Sequence, residues 1–515
     1  MRYLKNARVP LVVVVAVGAV AVGILSTLSV RSLTASPASA GPSAPNPGHP
    51  WTEVEGHGID GSTYWLGTTS DQALELRVNG ERAQRIEPAT YGPNIIGGYS
   101  GNSVTSGVRS ATIGGGGGKE IANRVTDDFG TVGGGAGNQA GDAAGSTWEP
   151  FSTVGGGLGN VASSDCSTVG GGNGNAATGS YSTVGGGAQN TAGGEEAAVG
   201  GGGGNSASGP DASVGGGLGN AASGFFATVG GGQMNEATGG VAAVGGGEYN
   251  QAKGNSATIG GGAYNSAGAG ATVAGGEANL AYGSYATVPG GTYNSASGAY
   301  SLAAGRRASA NNAGCFVWGD STDAGVACND NNRWVARASG GVYFYSSSDL
   351  STGSYLAAGS GSWSSVSDRA LKDNLTPVNG QEVLASLAEI PITTWNYQAQ
   401  DASIRHMGPM AQDFRNAFGL GESDTAISTV DADGVALAAI QGLYKLAQEK
   451  DAQISAQQKR IDDLETRVTA LEGGAGVNGG SASPVLPALS PMWLLPVGLL
   501  LVSLVVVQRR RAGGR

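Results

Sequence analysis

The sequence predicts a mainly β protein: a solenoid of short repeats, followed by a small α+β domain, a coiled coil and a membrane helix. Three observations lead to this prediction. A glycine-rich phrase recurs every 15 residues through the middle of the chain, an apolar heptad follows near its end, and an uncharged apolar run precedes a cluster of arginines. Fixed periods of this length are typical of solenoids, and sustained apolar heptads are typical of coiled coils.

Composition and charge exclude several classes of function. Glycine supplies 94 of the 515 residues, more than twice its average usage of roughly 7%. The 39 acidic and 28 basic residues give a net charge of -11, which leaves no general basic surface for nucleic acid. The three histidines and three cysteines show no metal-ligand spacing, so we expect neither a metal nor another cofactor.

The beginning of the chain predicts export. In residues 1–40, three basic residues precede an uncharged run from Val9 to Val30, and the small-residue pattern Ala38-Ser39-Ala40 follows; together these are typical of a signal peptide. Because the uncharged run is also long enough to span a bilayer, a retained N-terminal anchor stays open as the alternative.

The end of the chain predicts a membrane anchor. Residues 474–490 form a linker rich in glycine, serine and proline, and residues 491–508 are expected to form a transmembrane helix. Residues 509–515 carry four arginines, which favour a cytoplasmic tail under the positive-inside rule. We therefore expect a single-pass membrane protein whose bulk lies outside the cytoplasm, at the cell surface.

The repeats between residues 96 and 311 predict the solenoid. A β-branched residue recurs every 15 residues from Val154 to Ile259, with asparagine six positions and alanine eight positions after it. One repeat holds two strands of about five residues and two tight turns, so each repeat is expected to form one coil. We expect the valine and alanine columns to point inward, and glycine and asparagine to supply the positive-φ corners.

So few apolar side chains make a thin core. Ordering one repeat costs roughly 22 kcal/mol at about 1.5 kcal/mol per residue, which one valine and one or two alanines do not offset within a single chain. Burial between chains is then required, and we infer a rod-like homo-oligomer.

The repeats resemble the head of YadA-like trimeric adhesins. The resemblance covers about Ile96 to Gly305, and one typical repeat begins Thr153-Val154-Gly155-Gly156-Gly157. The resemblance implies a left-handed parallel β-roll with three chains side by side.

Two β segments without repeats are expected on either side of the solenoid. In residues 41–95, polar and apolar residues alternate before Asn79-Gly80, which predicts a β-hairpin cap. Residues 312–362 are expected to form a β neck. This neck contains Cys315 and Cys328, for which a disulfide and two free buried thiols both stay open.

Residues 363–439 differ in character from the repeats. They contain Ser367-Asp368-x-x-Leu371-Lys372-x-Asn374 and, later, a run from Arg405 to Phe414, and a coiled coil follows them. Alone, a serine and a lysine five positions apart are most often a turn residue and a solvated amine. In this combination they resemble the endosialidase-type intramolecular chaperone domain of phage tail spikes and tail fibres.

This second resemblance implies autoproteolysis before Ser367, in which Ser367 attacks the carbonyl of Val366 and Lys372 is the general base. A lysine in water has a pKa near ~10.4, so it accepts a proton at neutral pH only where burial lowers that pKa strongly. We expect the assembly of three chains to supply the burial, so that cleavage reports correct assembly. His406 is expected to be structural.

The segment 440–473 predicts a coiled coil. Its seam residues alternate at spacings of three and four, which is a heptad pattern with two polar core positions: Ile440, Leu443, Ala447, Lys450, Ile454, Gln457, Ile461, Leu464, Val468 and Leu471. The pattern does not decide the number of strands, and three comes from the resemblance.

Two classes of function follow. In the first, an exported, membrane-tethered trimeric fibre assists its own trimerisation and acts as a self-cleaving serine endopeptidase, in cis and for a single turnover. In the alternative, a structural surface adhesin or glycan-binding fibre uses the C-terminal domain only as a trimerisation device. The expected partners are further copies of this chain and the membrane. A cell-surface or glycan ligand stays open as a further partner, which the sequence does not identify.

Overall fold

The computed structural model of the chain describes residues 67–68, 70–144 and 151–474. They fall into two compact units, divided between Arg337 and Ala338. The predicted signal peptide or anchor, membrane helix and basic tail lie outside the described residues. Within the described part of the chain, no helix is long and apolar enough to cross a membrane.

The first unit is a parallel β-solenoid. In most repeats a strand of two residues lies in one sheet, the chain turns, and a second two-residue strand lies in the other sheet. Each strand pairs in parallel with its equivalent in the next repeat, as Thr168–Val169 does with Thr183–Val184. The predicted strand length of about five residues is wrong, because the turns occupy most of each repeat.

An antiparallel hairpin of β1 (Leu74–Val78) and β2 (Glu81–Glu87), joined through Asn79-Gly80, precedes the solenoid, and β2 pairs with the first solenoid strand. The remaining strands of this first sheet are Asn94–Gly97, Thr112–Ile113, Thr131–Val132, Thr153–Val154, Thr168–Val169, Thr183–Val184, Ala198–Val199, Ser213–Val214, Thr228–Val229, Ala243–Val244, Thr258–Ile259, Thr272–Val273, Thr287–Val288, Gly291–Thr292, Leu302–Arg306, Phe316–Gly319 and Trp334–Arg337. The strands of the second sheet are Ser103–Val104, Arg124–Val125, Gln139–Ala140, Val161–Ala162, Ala176–Ala177, Thr191–Ala192, Ser206–Ala207, Ala221–Ala222, Glu236–Ala237, Gln251–Ala252, Ser266–Ala267, Leu280–Ala281, Ser295–Ala296, Ala308–Ala310 and Val326–Cys328.

Four columns of side chains point into the coil. In one rung they are Val154, Asn160, Ala162 and Ser167, each 0% exposed. The inward valine and alanine columns confirm the prediction. The asparagine column and a second column of alanine or serine were not expected inside, so the core of each rung is richer than the sequence suggested.

The corners of the coil are formed by glycine and by residues other than the repeated asparagine. Gly187 has φ +88°, and a Cβ there would lie 2.1 Å from the carbonyl oxygen of Gly202 in the next rung. At a second corner position, Gly174, Gln189 and Tyr249 adopt φ values of 65°, 56° and 52°. Placing the asparagine column at positive-φ corners was therefore wrong.

The buried asparagines form a continuous ladder. The Nδ2 of Asn175 donates to the carbonyls of Gly171 at 2.8 Å and Gly187 at 2.9 Å. Its Oδ1 accepts the backbone N–H of Asn190 at 3.0 Å, and its own backbone N–H donates to Oδ1 of Asn160 at 2.9 Å. The same pattern repeats from Asn138 to Asn279. Each asparagine thus joins its own rung to the next through its side chain and to the preceding one through its backbone N–H.

The parallel pairing continues beyond residue 311. The strand Phe316–Gly319 pairs with Leu302–Arg306 and with Trp334–Arg337. Cys315 and Cys328 are joined by a disulfide with a Cα–Cα distance of 6.2 Å. Of the two alternatives that the sequence leaves open, the structure therefore has the disulfide and not two free thiols.

The second unit begins with a three-stranded antiparallel sheet in which β4 (Gly353–Ala357) lies between β3 (Gly341–Tyr345) and β5 (Trp363–Ser365). Tyr343 stacks on Tyr355 with ring centroids 5.3 Å apart, and Phe344 lies 5.6 Å from Trp363. Since successive residues of a strand point to opposite faces, both faces of this sheet carry aromatic side chains.

The rest of the second unit is mainly helical. Its elements are a 3-10 turn (Arg369–Leu371), α1 (Gly380–Glu389), β6 (Thr393–Trp395), β7 (His406–Gly408), α2 (Ala411–Phe418) and α3 (Thr429–Gly474), and β6 and β7 pair antiparallel. Helices α1 and α3 cross closely at two glycines: a Cβ on Gly442 would lie only 2.1 Å from the carbonyl oxygen of Gly380. The helix α3 contains all of the predicted seam residues, and apolar members such as Ile454 and Leu471 are exposed in the single chain.

We predict that Asn175→Ala destabilises the solenoid by about 3 kcal/mol, since it leaves the Gly171 carbonyl and the Asn190 N–H without their partner. The Gly187 carbonyl loses one of two bonds and keeps the one from the backbone N–H of Asn173. Asn173→Ala is the matched control, because Asn173 lies on the exposed surface of the same rung and should change stability by less than about 0.5 kcal/mol. Chemical denaturation of residues 41–473, followed by far-UV circular dichroism, measures both. Equal effects of the two substitutions would contradict a stabilising role for the ladder.

Candidate functional site

The predicted site lies where the sheet of the second unit ends. The strand β5 stops at Ser365, and the next N–H, that of Val366, still donates to the carbonyl of Gly353 at 3.0 Å. Ser367 follows directly and is the first residue beyond this hydrogen-bonded strand. The predicted scissile peptide, between Val366 and Ser367, therefore follows directly after the edge strand β5.

A short turn then reverses the chain. The Oδ1 of Asp368 accepts the backbone N–H of Ala370 at 2.9 Å, which caps the 3-10 turn Arg369–Leu371. The backbone N–H of Lys372 donates to the carbonyl of Arg369 at 3.2 Å and ends the turn. This local geometry follows from the sequence, because aspartate is a preferred residue for capping a helical turn.

The turn brings the two predicted catalytic residues together. The Nζ of Lys372 lies 2.5 Å from the Oγ of Ser367 and donates a hydrogen bond to it. A nucleophile and its base must be within hydrogen-bond reach, and this pair satisfies that requirement. The five-residue spacing in the sequence thus places both groups at one point in space.

Both side chains are exposed to solvent in the single chain, and so is the adjacent Leu371, which is 48% exposed. Burial lowers the pKa of a lysine because a low-dielectric environment disfavours the charged form. The single chain does not provide that burial. The two predicted catalytic groups are thus in contact, but the environment that a lysine base requires is incomplete.

The loop between β3 and β4 is held by Asp349. Its carboxylate accepts hydrogen bonds from the Oγ of Ser351 at 2.7 Å and from the backbone N–H of Ser351 at 3.1 Å. The Ser351 hydroxyl, followed by that of Ser347, lowers the pKa of Asp349 to about 2. Since this pKa is depressed, the hydrogen bonds stabilise the loop at every pH above the ordinary aspartate range. That stabilisation is lost only as the pH falls toward 2.

His406 lies on β7 among aromatic side chains. Its ring centroid is 4.9 Å from that of Trp395 and 5.5 Å from that of Tyr397, and its Nε2 lies 2.8 Å from Oε1 of Gln400. The neighbouring Arg405 donates to the carbonyl of Thr394 at 2.8 Å. These contacts give His406 a place in the packing of this hairpin, and its predicted structural role stays a prediction.

Asp368 and Gly353, which form hydrogen bonds in the turn and the strand beside the pair, have no predicted role in the sequence analysis. Asp368 carries a readable signal, since an aspartate directly before a short turn is a typical cap. Gly353 carries none, because its contact with Val366 depends on the pairing of two strands. Among the described residues, no group of three or more His, Cys, Asp or Glu side chains is placed to hold a metal ion.

The fold and the site define a class of protein: a parallel β-solenoid followed by a small domain in which a serine and a lysine are in contact. A model of the peptidase S74 family, described as the chaperone of endosialidase, matches residues 367–419. This match begins at Ser367 and ends before α3. It indicates that the C-terminal unit contains a region similar to an autoproteolytic chaperone domain. A search of curated proteins finds no match to the chain.

Proposed function

We propose that this chain is an exported, membrane-tethered trimeric fibre protein whose C-terminal domain assists trimerisation and cleaves its own chain before Ser367. The observation that carries the proposal is the 2.5 Å contact between the Nζ of Lys372 and the Oγ of Ser367. The family match supports it, since the matched segment starts at the residue that would become the new N-terminus.

The proposed reaction is an acyl shift followed by hydrolysis. Neutral Lys372 accepts the proton of the Ser367 hydroxyl while Oγ attacks the carbonyl carbon of Val366. The bond from that carbon to the Ser367 nitrogen breaks, and the nitrogen takes the proton from Lys372 and leaves as an amine. Water then hydrolyses the ester between Val366 and Ser367, which frees the Val366 carboxylate and restores the hydroxyl. The enzyme acts once, in cis.

Assembly supplies what the single chain lacks. The apolar seam of α3 and the aromatic faces of β3–β5 are exposed, with Ile454 61%, Tyr343 53% and Trp363 55% accessible. We expect that neighbouring copies that cover these surfaces also exclude water from Lys372. Cleavage would therefore follow trimerisation and act as a check on it.

The dyad gives a direct prediction. Ser367→Ala and Lys372→Ala abolish cleavage, and Lys372→Arg also fails because a guanidinium is not deprotonated at working pH. Lys445→Ala, on the exposed surface of α3 away from the seam, is the matched control and keeps full cleavage, whereas His406→Ala keeps part of it. Denaturing gels and mass determination of the fragments measure these outcomes. Full cleavage in either Lys372 variant would refute the base assignment, and an uncut wild-type trimer would leave only the trimerisation role.

The oligomer gives a second prediction. The Ser367→Ala ectodomain should sediment as an elongated particle of three chain masses. Ile454→Asp places a charge in the seam, so it should reduce both the trimer fraction and the cleavage of the wild-type dyad. Ala456→Asp, on the outer side of the same helix, should change neither. A compact monomer, or equal effects of the two aspartates, would contradict the proposal.

The membrane topology gives a third prediction. If the signal peptide is removed, cleavage releases residues 41–366 into the medium and leaves residues 367–515 in the membrane. If the N-terminal run persists as an anchor, both halves stay in the membrane fraction. Cell fractionation, with antibodies to each half, separates these two cases, and both halves in the soluble cytoplasm would overturn the proposed tether.

A further inference from the structure

The chain before the proposed scissile bond is bound as an edge strand. The strand β5 pairs antiparallel with β4, with Ser364 opposite Tyr355 and Ser365 opposite Ser354. The hydrogen bond from Val366 N–H to Gly353 O extends this pairing to the residue whose carbonyl is attacked. Proteins that bind extended peptides use the same main-chain pairing to fix the peptide backbone.

From this arrangement we propose that β4 is the substrate-holding strand of the self-cleavage site and that Gly353 is its positioning residue. This inference rests on the proposed cleavage before Ser367. Gly353 acts through Val366: by accepting its N–H, it sets the orientation of the peptide that Ser367 attacks. It touches neither the hydroxyl nor the lysine.

Space, rather than backbone conformation, demands glycine at this position. A Cβ on Gly353 would lie 2.1 Å from the carbonyl oxygen of Phe344 and 2.9 Å from the Cα of Tyr345. Both are backbone atoms of β3, so a side chain would push β4 away from β3. Because β4 also holds Val366 on its other edge, that displacement would be passed to the scissile peptide.

The scissile peptide is therefore fixed from two directions. On its N-terminal side, the sheet holds Val366 through Gly353. On its C-terminal side, the turn capped by Asp368 holds the nucleophile against Lys372. Reacting groups must lie within about 3–3.5 Å in the correct orientation, and a displacement of about 1 Å can slow a reaction by roughly 100-fold.

The test compares Gly353→Ala with Gly361→Ala in the full chain. Gly361 lies in the β4–β5 turn, and a Cβ there would meet no atom within 4 Å, so it is the matched control. Cleavage is followed in time after cell-free synthesis, and trimer assembly is measured separately with Ser367→Ala in each background. We expect Gly353→Ala trimers to cleave roughly 10- to 100-fold more slowly, and Gly361→Ala trimers to cleave at the wild-type rate.

The pH dependence distinguishes positioning from damage to the dyad. Gly353→Ala should lower the plateau rate and leave the pH midpoint of cleavage unchanged, because Lys372 is untouched. If Gly353→Ala does not assemble, Val366→Pro and Val366→Thr test the same hydrogen bond. Proline removes the N–H donor, whereas threonine keeps it. The proline variant should therefore cleave at least about tenfold more slowly than the threonine variant.

Wild-type rates in assembled Gly353→Ala trimers, or equal rates of the proline and threonine variants, would overturn the inference and leave the dyad intact. An uncut wild-type trimer would instead overturn the proposed cleavage itself, and the positioning role with it.

Discussion

The solenoid depends on the hydrogen bonds of its buried asparagine ladder. An unpaired amide in a protein core costs on the order of 1–3 kcal/mol, so a column of them is tolerated only if each is satisfied. Each Nδ2 binds two glycine carbonyls, one in its own rung and one in the next, and each Oδ1 accepts a backbone N–H. The glycine carbonyls can point inward because the chain turns sharply there.

The same ladder explains why glycine dominates the composition. Gly187 accepts a bond from Asn175, has φ +88° and has no room for a Cβ against the carbonyl oxygen of Gly202 in the next rung. A side chain there would break both the corner and the stacking. The glycine and asparagine columns thus depend on each other, because the glycine corner supplies the carbonyl that the asparagine binds.

The sequence predicts the solenoid, its period and the inward valine and alanine columns, because these follow from the repeat alone. It misplaces the asparagines, since the general preference of asparagine for turns conflicts with a contact made between rungs. The sequence nevertheless distinguishes the two positions. The corner position varies between rungs, as in Gly174, Gln189 and Tyr249, whereas the asparagine position does not vary over the same rungs. At the site, the motif locates Ser367 and Lys372, but the role of Gly353 depends on which strand pairs with β5, and that is not a local property.

Because adjoining rungs make the same contacts, the solenoid has no residue at which its length is set. A rung such as the one containing Asn175 gives its successor the same acceptor that it receives from its predecessor. Duplication or loss of whole repeats would therefore keep the asparagine ladder continuous and leave the residues of the hairpin and of the C-terminal domain unchanged. The length of such a solenoid can change during evolution by simple copying of repeats, without any change in the residues of the C-terminal domain.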